Sequence, residues 1–310
     1  MPGLRKKRRA TPRARAGAAW IAATVIVIEL LVGTGIIDRP AAAWFAACRG
    51  TPTATQDASN GVDLSASTHQ WLASRAIAIL QADGFDAMST FLAAPDPTAP
   101  AARDPQSGAP TGTTETFGWR VIKGAADADC ALYSQVPDHL HNFWSHKGRQ
   151  MIIGTSAASN AEKAFANATT AWKQGDPAGA MEWLGASLHL VQDSCVPQHN
   201  FYGIGINHNP YEGWVRTNRD ALAVGDGAIL GDTFRVEAGH GGTNWSSAHP
   251  RGWADECAHR SAGVLRSASA NVPKVQSPAD PQWRTAGHVA ATQRLGAGYL
   301  EFFFRTVGGP

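Results

Sequence analysis

Apolar residues recur every three or four positions along several stretches of the chain, which is the spacing of one face of an α-helix. One such stretch starts at Pro177, because the Asp176 side chain can cap the free N–H groups and proline is favoured as the first helical residue. Pro197 ends the same stretch, and no run alternates between apolar and polar residues as a strand would. We therefore predict helices over residues 68–83, 150–174, 177–195, 210–222, 253–270 and 281–307.

Between these helices lie three long stretches rich in Pro, Gly and Thr, over residues 51–65, 93–118 and 224–251. Loops of this length in a compact domain are usually functional or disordered. The chain shows no internal repeat and no clear linker, so we predict a single all-α domain of several helices with long surface loops. Its core is expected to include the aromatic residues Trp183, Trp214 and Phe302 to Phe304.

The first part of the chain has the pattern of an export signal. A basic stretch ends at Arg15, an apolar run covers residues 17–37, and Ala41 and Ala43 supply the small residues that signal peptidase requires. We predict a signal peptide over residues 1–43 that is cleaved after Ala43, a mature domain over residues 44–310, and secretion. The alternative is an uncleaved membrane anchor formed by residues 17–37, since about 20 apolar residues span a bilayer. The choice between the general and the twin-arginine export routes stays open.

The charge and cysteine content of the remaining chain exclude some classes of function. Residues 1–43 hold 8 of the 27 Lys and Arg and 2 of the 25 Asp and Glu, so the remainder has a formal net charge of −4. That charge argues against nucleic-acid binding through a basic surface. The 4 cysteines fit an exported protein with two disulfides, for which three pairings are possible, and no CxxC motif indicates a thiolate metal site.

Imidazoles and carboxylates at helix-compatible spacings are the main candidates for chemistry. In HLVQDSCVPQH, His189 and Asp193 lie one helical turn apart, and His199 follows the proline. In HNPYEGW, His208 and Glu212 repeat the spacing of four. Imidazole and carboxylate ligands without thiolates suit zinc in an open, hydrolytic site. Further candidates are His69, Asp127, Asp129, His139 and His141.

The motif H-x3-D-x5-H, followed by H-x3-E, resembles the bacterial zinc-dependent phospholipase C family. The likeness extends to THQWLASRAIAIL near residue 68 and to QRLGAGYLEFFFRTVG at the end of the chain. It implies an all-helical domain around three zinc ions and an enzyme that acts on phosphoric diester bonds. The implied substrate is phospholipid at a membrane surface, cleaved on the glycerol side to diacylglycerol and a phosphorylated headgroup. We expect a monomer and no nucleic-acid partner.

The resemblance also implies a set of ligands. One zinc would be held by Asp127, His141, His189 and Asp193, and a second by His199, His208 and Glu212. The third would take the α-amino group and carbonyl of Trp44, together with His69 and a bridging oxygen of Asp193. Asp127 would also be the catalytic residue that orients or deprotonates water. Asp129 and His139 stay open as alternatives to Asp127 and His141.

Two further expectations rest on the resemblance. The implied cluster draws Cys48 toward Cys130, which leaves Cys195 to pair with Cys257. In addition, this chain has Ala128 where choline-preferring relatives have an aromatic residue beside the ligand aspartate, and Phe45 to Ala47 lack the acidic residue that follows the N-terminal Trp. Headgroup preference is therefore open.

Two other functions compete with the phospholipase. A zinc-dependent single-strand nuclease has a related fold and a similar cluster, but tends to have aspartate where this chain has Glu212. A non-catalytic secreted zinc-binding protein would have closed sites with protein ligands only, whereas the three ligands proposed around His199 leave a position open for water.

Overall fold

Ten α-helices build the part of the chain that the computed structural model describes, namely residues 68–99, 115–128, 139–141, 156–200, 208–231, 246–267 and 287–310. The side chains of residues 208–210, 212, 213 and 262–267 are outside this description. In chain order the helices are α1 (Thr68–Ala82), α2 (Asp86–Ala93), α3 (Phe117–Asp127), α4 (Ala157–Lys173), α5 (Pro177–Ser194), α6 (Pro197–Asn200), α7 (His208–Thr217), α8 (Arg219–Leu222), α9 (Pro250–Ser267) and α10 (His288–Val307). The described residues form no strand, and one isolated β-bridge joins Pro95 to Thr116. The all-α prediction is confirmed.

Helix α5 lies at the centre of the fold. The Asp176 side chain caps it by accepting the Gly179 N–H group, and Pro177 is its first residue, as the sequence predicts. All residues from 184 to 200 are buried, because α3, α4, α9 and α10 surround this part of the chain. The buried stretch includes His189, Asp193 and His199. Buried polar groups need hydrogen-bond or metal partners, so these three side chains must find theirs among the groups that surround α5 and α6.

Two glycines allow α3 and α5 to cross at very short range. A Cβ atom at Gly124 would lie 2.0 Å from the carbonyl oxygen of Glu182, and one at Gly185 would lie 2.1 Å from the carbonyl oxygen of Val121. Any larger residue at either position would force the helices apart. This crossing brings the last turn of α3 against the buried half of α5.

The core also contains the aromatic C-terminal helix α10. Phe302, Phe303 and Phe304 are all buried, which confirms that they belong to the core. Phe302 stacks on Phe165 of α4, and Trp253 of α9 packs against the Phe302 ring. Trp183 and Trp214 are partly buried and pack against core residues.

The observed helices differ from the predicted ones in three regions. Helices α2, α3 and α6 were not predicted, and α3 begins at Phe117, inside the stretch that we expected to be a loop. The predicted helix over residues 210–222 is divided into α7 and α8 at Asn218. None of the described helices is both long enough and apolar enough to cross a bilayer, and the apolar run over residues 17–37 lies outside the described residues.

A disulfide joins Cys195, directly after α5, to Cys257 in α9. This confirms one of the two expected pairs, whereas Cys48 and Cys130 lie outside the described residues. Beyond the disulfide, the Asn200 side-chain amide donates to the carbonyl oxygens of Ser194 and Val196 and contacts the Ser261 hydroxyl. The short helix α6 is therefore fixed at both ends.

Candidate metal centre

Four imidazoles surround the buried carboxylate of Asp193. The Oδ2 atom of Asp193 lies 2.6 Å from His139 Nδ1 and 3.1 Å from His189 Nε2. The Oδ1 atom lies 3.4 Å from His69 Nε2 and 3.5 Å from His199 Nδ1. Each oxygen of this carboxylate thus faces a different pair of imidazoles.

The histidines reach this point from separate parts of the chain. His189 and Asp193 share one face of α5, and His69 lies in the first turn of α1. The His69 and His189 rings pack against each other with their centroids 3.8 Å apart. His199 lies on α6. His139 lies two residues before His141, whose N–H donates to the His199 carbonyl oxygen at 3.1 Å.

Hydrogen bonds fix the orientation of three of the rings. His189 Nδ1 donates to the carbonyl oxygen of Ala125 at 2.8 Å, and His69 Nδ1 donates to the side-chain oxygen of Gln192 at 2.8 Å. His199 Nδ1 donates to the carbonyl oxygen of His139 at 3.1 Å. A proton on Nδ1 of a neutral imidazole leaves Nε2 with a free electron pair. This is the common arrangement of metal-binding histidines, in which the second nitrogen is held by an oxygen.

The imidazoles also determine the charge of Asp193. Burial alone would raise the pKa of its carboxyl group, but the positive charges that His189, His199 and His139 carry when they are protonated, together with a hydrogen bond from His139, outweigh burial. The pKa is therefore held well below its usual range, and the group is a carboxylate. A buried carboxylate requires compensating positive charge, which protonated histidines or a metal ion can supply.

The spacing of the ligand atoms around Asp193 fits zinc. His69, His189 and Asp193 each offer one ligand atom, and these atoms lie within 4.8 Å of one another. Two ligand atoms at tetrahedral angles, each about 2.0–2.2 Å from zinc, are about 3.3–3.6 Å apart. The separations of 3.1 Å between His189 and Asp193 and 3.4 Å between His69 and Asp193 are close to this range. All three residues are buried, so a cation there would be largely shielded from water.

Two other predicted ligands, His141 and Asp127, have polar partners outside the group around Asp193. His141 is buried beside α9, where its Nε2 atom is 3.0 Å from Asp255 Oδ1 and its Nδ1 atom is 3.3 Å from the Ser156 hydroxyl. It is His139 that contacts Asp193. Asp127 is the last residue of α3, and its Oδ2 atom lies 2.6 Å from Lys123 Nζ.

The remaining predicted ligands cannot be compared with the structure. Trp44 and Asp129 lie outside the described residues. His208 and Glu212 belong to the backbone of α7, but their side chains are not described. These assignments stay predictions.

Sequence analysis did not identify Gln192 and Asp255 as neighbours of the predicted ligands. The contact of Gln192 with His69 joins residues 123 positions apart, and that of Asp255 with His141 joins residues 114 positions apart. The position of Gln192 within HLVQD, directly before Asp193, is the sequence feature that places it near the predicted ligands.

Comparisons with known proteins find similar sequences and similar folds. No protein-family profile matches the chain. Two phospholipase C proteins from Bacillus cereus are each 26% identical to it, over 59% of this chain and 68% of their own length. Among solved structures, the alpha toxin from Clostridium absonum has a TM-score of 0.57 at 16% identity, covering 80% of this chain and 65% of the toxin. The alpha-toxin from Clostridium perfringens has a TM-score of 0.51 at 15% identity, covering 78% and 64%.

The chain thus spans somewhat less than two thirds of the length of these toxins, and its likeness to them concerns the fold. The Bacillus cereus proteins, in contrast, are similar to it in sequence. The helical fold, the histidines around Asp193 and the similarity to these proteins support the resemblance to the bacterial zinc-dependent phospholipase C family.

Proposed function

We propose that this protein is a secreted phospholipase C that hydrolyses the glycerol-side phosphodiester of phospholipids to diacylglycerol and a phosphorylated headgroup. The observation that carries the proposal is the buried carboxylate of Asp193, whose two oxygens face His69 and His189 at zinc-ligand spacing. A carboxylate placed between two imidazoles in this way can bridge two cations, which is the role expected for Asp193. The Bacillus cereus relatives are named phospholipase C, which supports the same reaction.

We propose that the cluster holds three zinc ions. His189 and Asp193 would hold the first ion together with Asp127, and the position of His139 next to Asp193 favours it over His141 as the remaining imidazole. His199, His208 and Glu212 would hold the second. Trp44, His69 and Asp193 would hold the third. When bound, zinc would polarise the phosphoryl oxygens and acidify water.

We propose Asp127 as the general base. It would accept a proton from the attacking water while the water oxygen bonds to phosphorus and the bond from phosphorus to the glycerol oxygen breaks. The glycerol oxygen would leave as an alkoxide and take a proton from solvent. Lys123 binds the Oδ2 atom of Asp127 at 2.6 Å, which would fix the orientation of this carboxylate.

Export is a separate part of the proposal. A disulfide at Cys195 and Cys257 suits an oxidising compartment, and cleavage after Ala43 would free the α-amino group of Trp44. An amino group with a pKa of about 7.7–8.0 can lose its proton to a metal near neutral pH. N-terminal sequencing of secreted protein should report Trp44, and any other start would remove Trp44 from the third zinc site.

A substrate panel tests the reaction. Purified protein is incubated with vesicles of phosphatidylcholine, of phosphatidylethanolamine and of anionic phospholipids, and separately with single-stranded DNA. We expect diacylglycerol from at least one vesicle type, loss of that activity with a zinc chelator, and recovery with added zinc. Release of nucleotides without diacylglycerol would instead favour the nuclease. Tight zinc binding without either product would favour a non-catalytic zinc-binding protein.

A further inference from the structure

Gln192 is a buried amide that lies between two predicted metal ligands on α5. It is 1% exposed, and it follows His189 by three residues and precedes Asp193. Its side-chain oxygen lies 2.8 Å from Nδ1 of His69, so it links α5 to the first turn of α1. The contact therefore joins the two helices at the point where His69 meets Asp193.

The contact determines which nitrogen of His69 can bind a cation. An amide oxygen only accepts hydrogen bonds, so Nδ1 of His69 carries the proton and Nε2 keeps its electron pair. That Nε2 atom faces Oδ1 of Asp193 at 3.4 Å. If the acceptor were absent, the proton could move to Nε2 and bond to Asp193, and Nε2 would no longer be a ligand.

His69 differs in this respect from the other two oriented histidines. The Nδ1 atoms of His189 and His199 donate to backbone carbonyl oxygens, which belong to Ala125 and His139. A backbone acceptor is present whatever the side chain is, whereas the acceptor of His69 depends on the identity of residue 192. This is the position where one substitution can change the orientation of an imidazole without removing a ligand.

Among the described residues, the Gln192 amide makes its hydrogen bond through its oxygen only. Its Nε2 atom is buried and has no hydrogen-bond partner within the described part of the chain. A buried donor without a partner destabilises the folded state. The stabilising contact of this side chain is therefore the one that its oxygen makes with His69.

We propose that Gln192 is a positioning residue: its side-chain oxygen sets the tautomer and orientation of His69 and thereby strengthens binding of the zinc ion held by His69 and Asp193. The inference rests on the proposed metal centre. Removal of a group that orients a metal-binding histidine typically weakens metal affinity by about 10–100-fold. The effect should be confined to one ion, since His189 and His199 keep their own acceptors.

Zinc affinity measured on the whole protein tests the proposal. Metal-free protein is titrated with zinc against a chromophoric chelator. We expect Gln192→Leu to bind one zinc ion about 10–100-fold more weakly. Gln192→Glu should stay within a few-fold of the unsubstituted protein, because a carboxylate oxygen also accepts from Nδ1.

Gln198→Leu is the matched control. Gln198 is another buried amide on the same segment, 2% exposed, and neither its oxygen nor its nitrogen has a hydrogen-bond partner within the described residues. Its replacement should leave all zinc affinities unchanged. Equal weakening in Gln198→Leu and Gln192→Leu would overturn the proposal, because any buried change near the cluster would then have the same effect.

A second measurement needs no substitution at position 192. Nitrogen-15 spectra of the zinc-loaded protein, with the His69 signals identified from a His69→Gln variant, should show the proton of that ring on Nδ1. A proton on Nε2 would overturn the proposal even if Gln192→Leu failed to fold. An unsubstituted protein that binds no zinc would overturn both the centre and this inference, whereas one that binds zinc without releasing diacylglycerol would overturn only the proposed reaction.

Discussion

Gly124 in α3 lies so close to Glu182 in α5 that a Cβ at position 124 would be 2.0 Å from the Glu182 carbonyl oxygen. The next residue, Ala125, accepts the Nδ1 hydrogen bond of His189 through its carbonyl oxygen. A steric requirement of helix packing is therefore directly connected to the orientation of a predicted metal ligand. The GAAD sequence of α3 serves both the crossing and the site.

Gly124→Ala should destabilise the protein, because the Glu182 backbone cannot move aside without separating α3 from α5. Overpacking of this kind typically costs about 1–3 kcal/mol, and a contact this short with backbone should lie at or above the upper end. Urea unfolding gives the change in free energy. The control is Gly225→Ala, since no atom would lie within 4 Å of its Cβ; a similar loss there would show that the crossing is not the cause.

Replacing Cys195 and Cys257 with alanine should lower stability and loosen the segment that carries His199. The disulfide closes a loop with a sequence separation of 62, for which the chain-entropy relation gives about 4 kcal/mol. Urea unfolding of the double variant, without reductant, measures the loss. A free energy of unfolding unchanged from that of the disulfide-bonded protein would contradict the expected role of this pair.

The predicted helices and the observed ones show which signals act locally. The Asp176 side chain caps α5 and Pro177 is its first residue, so the start of this helix could be predicted from two adjacent residues. Helix α3 also has a local cap, since the Thr116 side chain accepts the Trp119 N–H. We nevertheless predicted no helix there, because glycine weakens a helical pattern and the close packing of Gly124 depends on α5 lying against it. Sequence spacing alone does not report that contact.

In the candidate site, too, only contacts between residues close in sequence could be predicted. His189 and Asp193 were predictable because one helical turn separates them, whereas His139 and His141 are two residues apart in a segment with no helical period. Only the structure shows that His139 faces Asp193 and that His141 faces Asp255. Contacts of this kind connect distant parts of the chain and leave no periodic signal in the sequence.

Stability should fall as the pH is lowered, in part because of His288. Burial lowers the pKa of this imidazole from 6.5 to about 4 in the folded protein, where its Nε2 atom contacts the Tyr211 hydroxyl. Between these two values the unfolded chain binds a proton that the folded protein does not. The contribution of His288 is thus complete above pH 6.5 and is lost by about pH 4, for a total of about 3 kcal/mol.

Unfolding of His288→Gln at several pH values measures this effect, since glutamine can still bond to Tyr211 but does not titrate. Its free energy of unfolding should depend less steeply on pH between about 6.5 and 4 than that of the unsubstituted protein. His249→Gln, at an exposed position, is the control. Parallel pH profiles for His288→Gln and the unsubstituted protein would show that another group carries the dependence.

Asp127→Asn should reduce turnover while most of the zinc stays bound. The amide keeps an oxygen ligand and the size of the side chain but has no basicity, and loss of a general base typically costs about 10²–10⁴-fold in rate. Lys123→Met, which removes the cation 2.6 Å from Asp127 Oδ2, should have a smaller effect because the base itself remains. Near-full turnover in Asp127→Asn with zinc bound would assign the base to another group, such as Asp129.

The most direct test of the proposed centre is the zinc content of His189→Ala, measured by elemental analysis together with diacylglycerol release from phospholipid vesicles. His189 contacts Asp193 Oδ2 at 3.1 Å, and its proposed role is to bind metal. The variant should lose bound zinc and release no diacylglycerol, whereas His249→Ala should keep both. A folded His189→Ala protein that retains the full zinc content and normal diacylglycerol release would contradict the account.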